Sequence, residues 1–260
     1  MHLHTPEDLP DTPTQRAADR RQLLRALNFS LGFVLVLAAA FALQQGEDYR
    51  ALTVTAMSMQ GLWGLLTAPL LHGSVEHIAA NAASLLLLGT LAGSVYPKAT
   101  LRALPILWLG SGLGAWLLGD PGSHHLGASG LTHGLMFLVF TLGLLRRDRP
   151  SIAAAMIAFL LYGGMLLTVL PQEPGVSWQS HLGGALGGVL SAFLFRHADP
   201  VPPRKQYSWE LEGDIIPADD AELELPKPAE VPVLWHRAEE IRGVVLPFPH
   251  RRPPDAPDPP

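Results

Sequence analysis

The chain has 260 residues, of which 48% are hydrophobic and only 16% charged, a charge fraction low for a soluble domain. Its formal net charge of −5 is carried by residues 197–260, which hold 13 acidic and 7 basic side chains; the remainder is close to neutral and offers no basic surface for nucleic acid. Cysteine is absent, which excludes disulfides, thiolate catalysis and cysteine-based zinc sites.

Residues 1–21 contain Pro, Asp and Thr without apolar periodicity and read as a flexible terminus. Arg16, Arg20, Arg21 and Arg25 then lead into an apolar block at about residues 23–43. That block is long enough to cross the hydrocarbon core as a helix and too long for a signal-peptide core, so it is expected to be retained. Residues 46–71 begin polar, with Glu47, Asp48 and Arg50, and end apolar. An amphipathic segment in the outer membrane interface, anchored by Trp63, fits both halves.

Five further spans are expected, at about residues 74–93, 101–118, 127–145, 151–170 and 177–196. The fold class is therefore all-α: a membrane bundle of six transmembrane helices, residues 22–196, with flexible termini. Basic residues fall before or at the start of span one (Arg16, Arg20, Arg21, Arg25), between two and three (Lys98, Arg102), between four and five (Arg146, Arg147, Arg149) and after six (Arg196). The alternate loops carry Glu47, Asp48, Asp120 and Glu173, with Arg50 as their one basic residue. This pattern puts both termini in the cytoplasm of a multi-pass cell-membrane protein. Residues 197–260, rich in Pro and acidic groups, read as a largely disordered cytoplasmic tail with a short docking segment around Val231–Val245.

Polar groups inside spans cost free energy and so mark candidate sites. His77 and Asn81 open span two at i, i+4 and share a helical face. His72, projected back along the same helix, falls on a neighbouring face, and no His-Glu-x-x-His spacing supports a metal. Asn81 is either a donor aimed into the bundle or a plain interhelical bond. Ser129, in Gly-Ala-Ser-Gly at the start of span four, is either a packing residue or a nucleophile beside free helix N–H groups. His181 opens span six. Behind it, Gly184 and Gly188, and likewise Gly183 and Gly187, form small faces, as Gly130 and Gly134 do on span four. Such faces let two helices pack closely. Spans four and six both start on the outer side, so Ser129 and His181 enter at similar depth and could share a hydrogen bond, the minimal activated nucleophile.

Taken together, His72-x4-His77-x3-Asn81 on span two, Gly127-x-Ser129-Gly130 on span four and His181-x2-Gly184-x3-Gly188 on span six resemble the rhomboid intramembrane serine proteases, in their bacterial six-span form. The match covers about residues 23–196 and leaves both termini unmatched. The resemblance implies a Ser–His dyad, with Ser129 as nucleophile and His181 as general base. Asn81 and His77 would serve the oxyanion with the Ser129 backbone N–H, and His72 would support them. It implies peptide-bond hydrolysis through an acyl-enzyme, on single-span or otherwise membrane-anchored proteins cut in or near their transmembrane segments. No metal or cofactor is needed, and the site would open toward the extracytoplasmic side. Two departures are visible. Trp63 is followed by Gly64 where many members carry Arg, and Ser180 precedes His181 where Ala or Gly is common. The alternative is a catalytically silent relative that binds membrane helices; such relatives tend to lose the Ser or the His, and both are present.

Overall fold

The computed structural model describes residues 9–10, 12–171, 175–200 and 205–206. Among these described residues seven α-helices follow in chain order: α1 (Pro13–Leu43), the one-turn α2 (Gly64–Thr67), α3 (Val75–Val95), α4 (Pro97–Leu118), α5 (Ser129–Arg146), α6 (Arg149–Tyr162) and α7 (Trp178–Phe195). Five of the stretches, α1, α3, α4, α5 and α6 with its continuing 3-10 turn, are long and apolar enough to cross a membrane. The sixth expected span is the helix α7. It falls short of that hydropathy because it begins Trp-Gln-Ser-His and carries four glycines. Leu35, Leu160, Leu161 and Leu190 project from the bundle more than half exposed, an apolar rim suited to lipid rather than water. The chain therefore forms an all-helical membrane bundle.

One boundary needs correction. Residues 13–21, read from composition as flexible, are the first turns of α1. The Thr12 side chain accepts from the Gln15 N–H and Pro13 occupies the first turn, both strong start signals. Gln15 then donates to Asp19 one turn on, at 2.9 Å. Local capping outweighs the lack of an apolar stripe. Residues 1–8, and the tail from residue 207 with its docking segment, lie outside the described residues.

Helix α5 is the inner helix: 61% of its 18-residue window is buried, against 17–33% for the other four. It is held by backbone-close crossings. A Cβ at Gly184 of α7 would run into the Gly130 carbonyl of α5, and one at Gly188 into the Gly134 carbonyl. The opposite stripe of α7 meets α4: a Cβ at Gly183 would run into the Gly110 carbonyl, and one at Gly187 would stand 3.1 Å from the Ile106 carbonyl. Thus α7 is clamped between α4 and α5 by two glycine stripes, and van der Waals packing of this kind is what associates helices in lipid. On α1, Ser30 and Ala26 seat against Gly89 and Gly93 of α3.

The two ends of the bundle are tied differently. At one end, residues 44–74 form a cap of short turns over α4, held by the Trp108 indole N–H donating to the Leu65 carbonyl (2.9 Å) and the Trp116 N–H to the Ser58 carbonyl (2.8 Å). Val54–Thr55 pairs antiparallel with His124–His125, joining this cap to the segment before α5. At the other end, Asp199 accepts from the Lys98 and Ala99 N–H groups, each at 2.9 Å. A residue beyond α7 thereby caps the start of α4 from about a hundred positions away. Arg146 donates to the Asp199 carbonyl and to Asp148, at 3.1 Å each.

Candidate active site

Ser129 is the first residue of α5, and the chain reaches it through Gly127 with φ +111°. A Cβ at 127 would stand 2.6 Å from the His77 ring, so glycine is required both for the dihedral and for the close approach. The Gly127 N–H donates to the Ala68 carbonyl at 2.9 Å, fixing this approach to the cap. Because the helix starts at Ser129, the backbone N–H there has no acceptor within the helix.

The Ser129 hydroxyl lies 2.9 Å from His181 Nε2. His181 Nδ1 lies 3.0 Å from the Thr168 carbonyl oxygen. A carbonyl only accepts, so Nδ1 carries the proton and Nε2 is left to accept from the Ser129 hydroxyl. His181 is buried and Ser129 half-buried. The pair has the orientation that a serine nucleophile and its base require, with a backbone carbonyl in place of an orienting carboxylate.

Two further residues, missed in the sequence reading, complete this arrangement. His133 follows Ser129 by one turn; its Nδ1 donates to the Ser129 carbonyl (2.7 Å) and its Nε2 lies 2.8 Å from the Thr168 hydroxyl. Its ring stacks on His181, centroids 3.8 Å apart and planes 11° from parallel. The i, i+4 spacing from Ser129 is the sequence signal for His133. Thr168 sits in the connection after α6 and gives none.

His77 and Asn81 reach the same place from α3. The Asn81 amide nitrogen is buried with no hydrogen-bond partner among the described residues, 3.7 Å from where a Gly127 Cβ would stand. A buried donor left unpaired costs ~1–3 kcal/mol, and among the described residues no neighbouring helix gives the Asn81 nitrogen a plain interhelical bond. His72 corrects the helical projection. It precedes Ser74, whose side chain caps α3 by accepting from the His77 N–H, so His72 is not on the helix at all. Its ring meets His77 edge-on at 5.0 Å, and its Nε2 makes a long 3.5 Å contact with the Ala128 N–H. The Gln44 side chain pins the His72 backbone, accepting from its N–H at 3.1 Å and donating to its carbonyl. All five residues singled out from the sequence are thus brought to one place.

Outside the spans, His125 bridges the Ser123 hydroxyl (2.8 Å) and the Ser177 hydroxyl (2.7 Å), linking the approach to α5 with the start of α7. Burial holds its pKa below the usual histidine range; Asp120 partly offsets this and His124 adds to it.

Both departures have a physical reason. A Cβ at residue 64 would collide with the backbone of Thr53 and Val54, so the cap leaves no room for any side chain there. Ser180 hydrogen-bonds Ser111 of α4 at 2.7 Å, both buried, a polar link beside the base.

A family model described as Rhomboid domain matches residues 59–198. Uncharacterized proteins of Mycobacterium bovis and Mycobacterium tuberculosis are each 36% identical over 223 residues, covering 82% of this chain and 91% of theirs. An uncharacterized protein of Mycobacterium leprae is 34% identical over 209 residues, covering 74% of this chain and 81% of its own.

Proposed function

The chain belongs to the rhomboid family, and on that premise we propose that it is an intramembrane serine endopeptidase cutting membrane-anchored proteins in or near their transmembrane segments. The observation that carries this reading is the 2.9 Å contact from Ser129 Oγ to His181 Nε2, with Nδ1 engaged by the Thr168 carbonyl. Ser129 Oγ attacks the scissile carbonyl as its proton passes to His181 Nε2. The oxyanion that forms is met by the Ser129 backbone N–H and the unpartnered Asn81 amide, with His77 beside it. His181 then gives its proton to the leaving amine, leaving an acyl-enzyme on Ser129. Water, deprotonated by the same imidazole, releases the second product. No step calls for a metal or cofactor. The partners are single-span substrates and the bilayer, and the site opens on the extracytoplasmic side.

The test is cleavage of a model single-span substrate in vesicles, together with labelling by a fluorophosphonate probe. Ser129→Ala and His181→Ala, each with a wild-type melting temperature, should abolish both readouts. Cleavage retained by either variant overturns the mechanism. A wild-type chain that neither cleaves nor labels points instead to a silent member that binds membrane helices.

A further inference from the structure

Away from the dyad, α1 and α4 leave a groove of about 480 Å³ between them, floored by α3 and α5. Phe29, Phe33, Leu104 and Trp108 wall it, and Leu131 and Leu135 of α5 form its inner side. One end is polar, formed by Gln22, Arg25 and Thr100. Thr100 is 7% exposed, and its hydroxyl has no hydrogen-bond partner among the described residues. Arg25 is exposed and joins no ion pair among the described residues. Gln22 donates to the Ser94 carbonyl at 2.6 Å, pinning α1 to the end of α3 beside the mouth. Lys98 and Arg102 stand exposed on the first turns of α4.

We propose that this groove binds an anionic phospholipid, with one acyl chain along the aromatic walls and the phosphate against the Arg25 guanidinium. An apolar transmembrane helix is the poorer occupant, because it brings no anion to the exposed Arg25 at the mouth. The apolar lining excludes a water cluster, which needs several polar partners. A flexible hydrocarbon chain suits this lining. At the polar end, the exposed guanidinium fork of Arg25 is a phosphate's partner. Basic pockets between membrane helices on the cytoplasmic side suit anionic headgroups, and the loop charges put this end there. Leu131 stands two residues beyond Ser129, so the bound chain packs on the helix that starts with that serine. The inference does not depend on proteolysis.

The full chain is reconstituted in vesicles of equal phosphatidylglycerol and phosphatidylcholine, re-extracted in mild detergent, and its retained lipid measured by mass spectrometry. The wild type should retain phosphatidylglycerol in preference by roughly fivefold, the size of one Lys or Arg attraction to anionic lipid. Arg25→Gln should bring that ratio to unity with an unchanged melting temperature. Leu101→Trp, which narrows the groove from α4, should lose both lipids. A phosphatidylglycerol with a photoreactive acyl chain should label α1 and α4 in the wild type only. Equal retention of the two lipids by the wild type, or an undiminished preference in Arg25→Gln, overturns the proposal. So does crosslinking of the groove to residues 197–260 or to a second copy in place of lipid.

Discussion

At the scale of single residues, the unpaired amide of Asn81 and the doubly engaged ring of His133 make opposite demands on a substitution. Among the described residues the Asn81 amide nitrogen has no partner to lose, so its removal should cost little stability and much catalysis. Asn81→Ala is expected to lower kcat by ~10²–10³-fold, the usual loss for one oxyanion donor, with a wild-type melting temperature; an unchanged kcat would remove Asn81 from the oxyanion site. His133 stacks on the base and bonds both the Ser129 carbonyl and Thr168. His133→Phe keeps a flat ring and deletes both hydrogen bonds, each worth about 1 kcal/mol. It should lower kcat while leaving KM near wild type, because the loss falls on the alignment of His181 and not on substrate contact. A shift confined to KM would assign His133 to the binding surface instead. Ser129, His181, Asn81 and His77 were legible because polar side chains in apolar runs stand out. His133 carries a signal only once Ser129 is chosen, one turn before it, and Thr168 carries none, since its carbonyl and hydroxyl come from a connection far from Ser129 in sequence.

Among the elements, the position of α7 is set by glycine, and the same stripes that were readable in the sequence are the ones that clamp it. The facing pair on α4, Gly110 and Gly114, escaped notice because a partner helix for Gly183 and Gly187 cannot be named without the fold. Gly184→Ala would drive a Cβ into the Gly130 carbonyl, an overpacking cost of about 1–3 kcal/mol placed one turn from the Ser129–His181 contact. A lower melting temperature and weakened fluorophosphonate labelling are expected together. Gly32→Ala, where a Cβ would meet nothing within 4 Å, should leave both at wild-type values. If Gly184→Ala is equally silent, the clamp is not what holds the dyad. Ser180 with Ser111 supplies a polar counterpart to this packing. A double-mutant cycle to alanine should give a coupling near 0.6 kcal/mol, the average for such bonds within membranes. The early start of α1 is hidden for a related reason: its first turns carry no apolar stripe, and Thr12 and Pro13 begin the helix by capping alone.

Over the whole molecule, charge and geometry divide the bundle in the same way. The segments with Glu47, Asp48 and Asp120 adjoin the capped end, where Val54–Thr55 pairs with His124–His125 and Ser129 and His181 begin their helices. Lys98, Arg146 and Asp199 converge on the opposite end. Basic loops usually stay on the cytoplasmic side, and the proposed orientation, with the candidate site toward the exterior, rests on that rule. The lack of native cysteine makes this directly measurable with single substitutions at exposed positions. Glu47→Cys and Asp120→Cys should react with a membrane-impermeant maleimide on intact cells, and Arg149→Cys only after permeabilisation. The inverse pattern would turn the site to the cytoplasm. Glu47 and Asp120 reacting from different sides would separate two segments that the Val54–His125 pairing holds together, and with them the approach that delivers Ser129 to His181.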